Sequence, residues 1–233
     1  MRLPVEAPLS LRRPDRGFRC SRGRASVVES EELPMKILIF SDIHGDTAAL
    51  SRLLNIEADM YVAAGDLTTF MRGLERLAPV LERRAEKMWI LPGNHEHARD
   101  IEAFCARHGF HPLHGRTLHL NGYYIAGLGH SNPTPFHTPG EDSEATIAVN
   151  LSAFAGLKPL VLICHCPPYG TPLDEAAPGR HLGSSAVAEF IRIEQPEWFI
   201  CGHIHEAAGR QAMLGKTHGV NAGKQGYLLE LPE

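Results

Sequence analysis

The sequence has 233 residues, of which 43% are hydrophobic and 21% are charged, and its formal net charge at pH 7 is −4. This length suits one large α/β domain or two small ones, and the composition is ordinary for a globular protein. The acidic balance argues against a surface that coats nucleic acid, but it allows a small phosphate-containing substrate.

Residues 1–34 differ from the rest of the chain. They contain seven arginines, no lysine and no hydrophobic periodicity, and they lack the apolar core of a secretory signal. An arginine-rich organelle transit peptide is an alternative that the acidic residues Glu6 and Asp15 weaken. We therefore predict that residues 1–34 are a disordered extension or precede the natural start at Met35, and that residues 35–233 form a single domain.

The first half of this domain alternates predicted strands and helices. Continuous apolar runs predict buried strands at residues 35–42, 58–66 and 88–96. Leucines at helical spacing predict a helix after each of the first two strands, and the second helix, over residues 70–87, contains Pro79 as a break or kink. A short helix that ends at Gly109 follows the third strand.

The second half is richer in strand signals. Residues 116–129 predict a hairpin with Asn121 and Gly122 in its turn, and residues 216–231 predict a second, closing hairpin. Further buried strands are predicted within residues 159–168 and 197–205. Two long loops rich in proline and glycine, residues 129–144 and 167–184, have a length that is often functional. Together these elements predict an α/β sandwich of layers, without an apolar run approaching the roughly 18 residues of a membrane span.

The cysteines predict no disulfide framework. There are five of them, they form no CxxC pair, and most lie in apolar runs. We expect buried, reduced thiols in a cytoplasmic protein. Strand alternation should turn Cys164 and Cys166 away from His165 and into apolar packing.

Five of the predicted strands end in side chains that bind metals. In chain order these side chains are Asp42 and His44, Asp66, Asn94 and His95, His165, and His203 and His205. In open α/β sheets, ligands bind beyond the carboxyl ends of the strands, so we expect these residues to meet at one edge. His203 and His205 occupy alternate positions, which on an extended segment point the same way.

The mixture of carboxylates and imidazoles suits divalent Mn, Fe, Zn, Ni or Co, among which we favour manganese. With His95 set aside, the seven remaining ligands exceed what one tetrahedral zinc accepts. They suit two ions about 3.5–4 Å apart, with Asp66 as a bridge, a pair that clamps phosphate oxygens. His95 is then the candidate proton donor to the leaving oxygen.

The ordered series D-x-H, G-D, G-N-H-E, H and G-H-x-H resembles the motifs of the calcineurin-like metallophosphoesterases, and it spans residues 42–205. The resemblance implies a four-layer α/β/β/α sandwich with a dinuclear metal site at the carboxyl ends of the strands. It implies one metal on Asp42, His44, Asp66 and His205, and a second on Asp66, Asn94, His165 and His203, with His95 beside them.

The same resemblance implies hydrolysis of a small phosphoester by in-line attack of a hydroxide that bridges the two ions. Four segments are also similar to a subgroup with brain-expressed metallophosphodiesterases and uncharacterised prokaryotic proteins: HCPPYGTPLD (165–174), GRHLGSSAV (179–187), CGHIHEAAG (201–209) and VNAG (220–223). For that subgroup the resemblance implies phosphodiesters, with cyclic nucleotides among the candidates. A phosphomonoesterase, a nuclease or a non-catalytic protein-binding scaffold on the same fold stay open as alternatives, and the oligomeric state is not predicted.

Several residues have a structural alternative. Asp42 and Asp66 follow strands and would also suit helix N-caps. His181 is a candidate substrate contact or an ordinary loop histidine, whereas Ser184 is expected to cap the helix after it. Glu96 is expected to accept hydrogen bonds behind the ligands. The glycines beside the motifs should let the backbone turn sharply under the metals; they are Gly45, Gly65, Gly93 and Gly202.

Overall fold

The computed structural model describes residues 34–232. The predicted extension or upstream segment therefore lies, apart from Pro34, outside the described residues. No helix within the described range is both long and apolar enough to cross a membrane.

Thirteen strands lie within this range. In chain order they are β1 (Met35–Phe40), β2 (Met60–Ala64), β3 (Met88–Leu91), β4 (His111–Pro112), β5 (Arg116–Leu120), β6 (Tyr123–Leu128), β7 (Leu160–Cys164), β8 (Glu175–Ala177), β9 (Arg180–His181), β10 (Trp198–Cys201), β11 (Gln211–Leu214), β12 (Thr217–Asn221) and β13 (Tyr227–Leu231).

The helices alternate with these strands in the first half and become sparser in the second. The α-helices are α1 (Thr47–Leu53), α2 (Ala78–Leu81), α3 (Ala98–His108), α4 (Glu144–Ser152) and α5 (Ser185–Glu194). Short 3₁₀ turns span Leu74–Arg76, Glu82–Lys87, His205–Ala207 and Gly223–Gln225.

The strands form two large sheets and one small ribbon. Sheet 1 has the order β13-β1-β2-β3-β4, and only β13 runs antiparallel to its neighbour. Sheet 2 has the order β11-β12-β10-β7-β6-β5, with a parallel centre between antiparallel edge strands. Strands β8 and β9 pair with each other in the loop that follows β7.

Three apolar clusters divide the molecule into four layers. The first packs α1 and α3 on one face of sheet 1, through residues such as Leu50 and Phe104. The second lies between the sheets and joins Val62 of β2 to Val161 of β7. The third packs α4 and α5 on the outer face of sheet 2. This is the expected α/β/β/α sandwich, and the sequence-based fold class is confirmed.

Strand β1 shows why its sequence is apolar at every position. Leu38 and Phe40 belong to the cluster beneath the helices, whereas Ile37 and Ile39 belong to the cluster between the sheets. Because successive side chains of a strand point to opposite faces, a strand covered on both sides needs apolar residues throughout.

The predicted closing hairpin is wrong. Strand β12 pairs with β10 and β11 in sheet 2, whereas β13 pairs with β1 in sheet 1. The 3₁₀ turn Gly223–Gln225 and the left-handed Gly226 (φ 74°) carry the chain from one sheet to the other. Strand β12 has a single apolar side chain, Val220, so local sequence did not distinguish a hairpin from two strands in different sheets.

The predicted helix over residues 70–87 is broken into three pieces. Pro79 lies in the first turn of the short helix α2, where its missing N–H costs no hydrogen bond. The predicted apolar face survives, because Leu74, Leu77 and Leu81 are buried. Helix α4, which follows the loop 129–144, was not predicted.

Most of the other local predictions are confirmed. Asn121 and Gly122 have φ angles of 50° and 73° in the turn between β5 and β6, and Gly109 ends α3 with a φ of 72°. Cys164 lies in the outer apolar cluster of sheet 2, as predicted. The apolar packing predicted for Cys166 is wrong: it is buried, but its Sγ donates to Asn132 Oδ1 at 2.9 Å. The four cysteines in the described part of the chain are free thiols.

Ser184 begins α5, as its position predicts. Its Oγ accepts from the Val187 N–H at 3.2 Å and donates to Glu144 at 2.7 Å, and the side chain is fully buried. Glu144, the first residue of α4, also accepts from the Ala186 N–H at 2.8 Å. One serine and one glutamate thus link the start of α5 to α4.

We expect Ser184→Ala to lower the free energy of unfolding by about 1–2 kcal/mol, because the cap of α5 and the hydrogen bond to Glu144 are both lost. Urea unfolding measures the change. Ser152→Ala, at the exposed end of α4, is the control and should stay within about 0.5 kcal/mol of wild type. Equal losses in the two variants would contradict the assignment.

Candidate metal centre

Five strands of the two sheets bring the predicted ligands to one edge. The residues follow the carboxyl ends of their strands in this order: Asp42 and His44 after β1, Asp66 after β2, Asn94 and His95 after β3, His165 after β7, and His203 and His205 after β10. Their side chains form overlapping groups of potential metal ligands. The parallel arrangement of β1, β2 and β3, and of β7 and β10, is what makes residues distant in sequence meet.

The first group contains Asp42, His44 and His205, whose ligand atoms all lie within 4.8 Å of one another. The Nε2 atoms of His44 and His205 are 3.1 Å apart, and His205 Nε2 is 3.5 Å from Asp42 Oδ1. Asp42 is buried, whereas the His205 ring is largely exposed. This group is therefore open to the surface on one side.

The second group contains Asp66, His165 and His203, again within 4.8 Å. His165 Nε2 lies 3.4 Å from Asp66 Oδ2 and 3.0 Å from Asn94 Oδ1. Asp66, Asn94 and His165 are all buried. The amide oxygen of Asn94 thus lies beside these donors, in position to act as a neutral metal ligand.

Asp66 lies between the two groups. Its Oδ2 is 3.7 Å from His44 Nε2 and 3.4 Å from His165 Nε2, and its Oδ1 accepts from the His95 N–H at 3.0 Å. A third set of close ligand atoms, from His44, Asp66 and His95, overlaps both groups. One carboxylate is therefore shared by two clusters of donors.

Two imidazoles are oriented by the backbone. The Nδ1 atoms of His44 and His165 lie 2.9 Å from the carbonyl oxygens of Thr68 and Ala64. A carbonyl only accepts, so each Nδ1 carries the proton and each Nε2 presents a lone pair to the centre. Metal-binding histidines usually have their second nitrogen held in this way, so the donor set fits divalent cations.

The electrostatics of the buried groups also favour a cation. Burial would lower the pKa of His165, but the adjacent Asp66 carboxylate outweighs it and raises this pKa to about 9. Burial would raise the pKa of Asp66, yet the charge of His165 holds it well below its usual range. Burial and the nearby His165 lower the pKa of His203 to about 4, which keeps that ring neutral. Without a metal, a proton on His165 thus balances the buried Asp66 carboxylate, and a metal cation would take the place of that proton.

The backbone at the ligands is unusual. Asp42, His44, Asp66 and His203 have φ angles of 59°, 48°, 53° and 70°, in the left-handed region that side-chain-bearing residues rarely adopt. Such strain clusters at functional sites, where the surrounding structure enforces it. It also overturns the expectation that His203 and His205 point the same way: the left-handed turn at His203 sends the two rings to different groups.

The helix-cap alternative for Asp42 is wrong. Asp46 caps α1, and its Oδ1 accepts from the Ala49 N–H at 2.9 Å. Asp42 instead accepts from the His203 N–H at 3.1 Å. No α-helix begins at Asp66, because the next helical element after it starts at Leu74.

The glycines beside the ligands act by close approach as well as by turning. Gly65 has a φ of 98°, whereas Gly93 is not left-handed. A Cβ added at Gly93 would overlap the carboxylate and the backbone nitrogen of Asp66. Gly93 is therefore needed because it leaves room for the shared carboxylate, which corrects the expectation of a sharp turn there.

Glu96 is confirmed as an acceptor behind the ligands. It is fully buried, and its carboxylate accepts from the N–H groups of Asp66, Thr68 and Gly93 at 2.8–3.1 Å and from the Thr68 hydroxyl at 2.8 Å. Burial and the neighbouring Asp66 charge raise the pKa of Glu96 to about 7. Glu96 thus ties the loop after β2 to the loop after β3.

His95 is near the ligands but has a different orientation. Its Nδ1 accepts from the Phe70 N–H at 3.2 Å, so the proton of the neutral ring is on Nε2. The rings of His44 and His95 are 5.2 Å apart at their centroids. His95 therefore presents a hydrogen-bond donor beside the ligands.

A cavity of about 570 Å³ opens above the centre. Its floor includes Asp66, Asn94 and His95, and its walls come from the two predicted long loops. Phe136 from the first loop and Tyr169 from the second are both exposed. The cavity thus places apolar walls over a polar, ligand-rich floor.

His181 also lines this cavity, and its Nδ1 is 2.7 Å from Asp174 Oδ1. Asp174 was not singled out from the sequence, because one acidic residue in a long loop has no distinguishing pattern. Its signals were the length of the loop, the richness of the loop in proline and glycine, and its place in the segment 165–174 that resembles the phosphodiesterase subgroup.

The profile of the calcineurin-like phosphoesterase family matches residues 35–207. The uncharacterized protein MJ1162 of Methanocaldococcus jannaschii is 31% identical over 208 residues, which are 84% of this chain and 91% of that protein.

Solved structures have the same architecture. TT1561 of Thermus thermophilus superposes with a TM-score of 0.64 at 18% identity, over 84% of this chain and 99% of that one. The phosphopantetheinyl hydrolase of Mycobacterium tuberculosis superposes with a TM-score of 0.60 at 14% identity, over 82% of this chain and 89% of that one. At such identities the similarity shows the fold alone.

We expect Gly93→Ala to weaken binding of Mn²⁺ by more than about tenfold, because the added methyl displaces the Asp66 carboxylate. Equilibrium dialysis with metal analysis measures this without an activity assay. Gly109→Ala is the matched control: its φ is positive, but no atom lies within 4 Å of the added Cβ. It should cost about 1–2 kcal/mol of stability and leave the metal affinity unchanged. Equal metal affinities in the two variants would refute the role of Gly93.

Proposed function

The chain belongs to the calcineurin-like phosphoesterase family, and we propose on that basis that it is a binuclear phosphodiesterase. The observation that carries the proposal is the shared carboxylate: Asp66 Oδ2 lies 3.7 Å from His44 Nε2 and 3.4 Å from His165 Nε2. A carboxylate between two donor sets is what a pair of metal ions requires.

In this proposal each ion has four protein ligands. One set is Asp42, His44, Asp66 and His205, and the other is Asp66, Asn94, His165 and His203. Mixed carboxylate, amide and imidazole donors suit divalent Mn, Fe, Zn, Ni or Co, and manganese is our preferred candidate. Two such ions, when bound, supply Lewis acidity and neutralise charge that develops on the phosphoryl group.

The residues around the ligands would position the ester. His95 would donate its Nε2–H to an oxygen of the reacting group, because its Nδ1 is occupied by the Phe70 N–H. His181, on the cavity wall, would contact the substrate. Phe136 and Tyr169 offer apolar surface to an organic substituent.

The shape of the cavity supports a diester as the preferred substrate. A space of about 570 Å³ with exposed aromatic side chains accommodates an organic group on each side of the phosphorus. Cyclic nucleotides are candidates within that class. We further propose that residues 35–233 act as a single domain and that the protein works in the cytoplasm, where its free thiols stay reduced.

We expect the Mn²⁺-loaded protein to hydrolyse bis-p-nitrophenyl phosphate faster than p-nitrophenyl phosphate. Asp66→Asn should lower kcat/KM for the diester by at least about a hundredfold, since even residues that only orient ligands contribute 10–100-fold. Asp59→Asn is the control, because Asp59 is exposed at the opposite end of β2 and accepts from the Lys36 N–H.

The alternatives give different results in the same assay. Turnover of the monoester alone would assign the protein as a phosphatase. Full diester activity in Asp66→Asn would contradict the shared carboxylate. A protein that binds metal but hydrolyses neither substrate would favour the protein-binding scaffold.

A further inference from the structure

The ribbon β8–β9 supplies a histidine and carboxylate pair to the cavity above the candidate metal centre. His181 ends β9 and lines the cavity together with His95 and Asn94. Its Nδ1 is 2.7 Å from Asp174 Oδ1, and about a quarter of its side chain is exposed. Neither residue belongs to the donor groups described above.

Asp174 is held rigidly. Its side chain is fully buried, and it accepts from the N–H groups of Gly170, Thr171 and Gly183 at 2.9–3.1 Å in addition to His181. Because those donors come from both ends of the ribbon loop, the carboxylate has no freedom to turn away from His181.

This arrangement fixes the tautomer of His181. Asp174 only accepts, so Nδ1 carries a proton and Nε2, on the other side of the ring, is left for the cavity. His181 can therefore exchange a proton with a bound substrate only at Nε2, while Asp174 holds the ring in place.

His95 has the opposite arrangement. Its Nδ1 accepts from the Phe70 N–H, so a second proton on that ring would require this bond to break. His95 can therefore donate a hydrogen bond through Nε2. Of the two cavity histidines outside the proposed ligand sets, His95 and His181, only His181 has a carboxylate hydrogen-bonded to its ring.

We propose that His181, positioned by Asp174, protonates the leaving oxygen of the phosphoester in place of His95, the donor expected from the sequence; this rests on the phosphodiesterase function proposed above. As the bond from phosphorus to the leaving oxygen breaks, its electron pair stays on that oxygen and takes the proton from His181 Nε2. His181 becomes neutral and is reprotonated from solvent through the open cavity. The attacking water bonds to phosphorus and loses one proton to solvent, so one water is consumed for each ester cleaved.

Two substrates that differ only in the leaving group test this role. Methyl phenyl phosphate releases phenol, whose pKa is about 10 as in tyrosine, so its departure needs a proton. Methyl p-nitrophenyl phosphate releases a far more acidic phenol, which leaves as the anion. General acids contribute about 10²–10⁴-fold, so we expect His181→Gln to lose about a hundredfold in kcat on the phenyl ester and less than about threefold on the nitrophenyl ester.

Three further variants complete the experiment. His95→Gln should slow both esters by similar factors, because it removes a hydrogen bond to the reacting group. Asp174→Asn should resemble His181→Gln in its preference for the nitrophenyl ester. His119→Gln, on the exposed edge strand β5, should leave both rates unchanged.

A second measurement tests the hydrogen bond between His181 and Asp174 without an activity assay. Nitrogen NMR of His181 should show the proton on Nδ1 in the wild-type protein and a mixture of tautomers in Asp174→Asn.

Equal slowing of both esters by His181→Gln would reduce its role to substrate binding and overturn the proposal. Selective loss in His95→Gln, or a wild-type His181 protonated on Nε2 alone, would also overturn it. If the metal-loaded wild type hydrolyses neither ester, the proposed phosphodiesterase function itself has failed, and this role fails with it.

Discussion

The centre depends on a buried carboxylate that faces imidazole nitrogens from two sheets. Asp66 is almost completely buried, and burying an unpaired charge is costly. The Nδ1 atoms of His44 and His165 are held by backbone carbonyls, so their Nε2 atoms face this carboxylate. A proton on His165 or a bound metal cation balances its charge. The carboxylate occupies this position because the backbone at Asp66 is left-handed and because Gly93 has no side chain to displace it.

Much of the fold follows from local patterns in the sequence. A strand covered on both faces must be apolar throughout, which located β1, β2, β3, β7 and β10 and hence the edge where the ligands meet. The hairpin turn at Asn121 and Gly122 and the helix end at Gly109 were predictable because each depends on its own backbone conformation. The order of the motifs then predicted, through the family resemblance, which ligands share a metal ion. Hydrophobic periodicity alone does not predict this.

Several errors share one cause, which is that the pairing of segments distant in sequence is not a local property. Strand β12 has a single apolar side chain, so its sequence did not show that it lies in a different sheet from β13. The different directions of His203 and His205 arise from one left-handed residue. Asp174 and Glu96 matter through the several donors that surround each of them, and these come from separate segments. Only the folded structure shows that the donors around each of these two carboxylates come together.

The pairing of β13 with β1 has a consequence for how the chain is made. Met35 pairs with Leu231, so sheet 1 is closed by residues from the two ends of the described chain. During synthesis every candidate ligand leaves the ribosome before residues 227–231 do. Until then β1 presents an unpaired, apolar edge, the kind of surface that invites association between incomplete chains. The nascent chain is therefore most prone to aggregate after the candidate ligands have been synthesised and before β13 has paired with β1. Chaperone protection matters most in this interval.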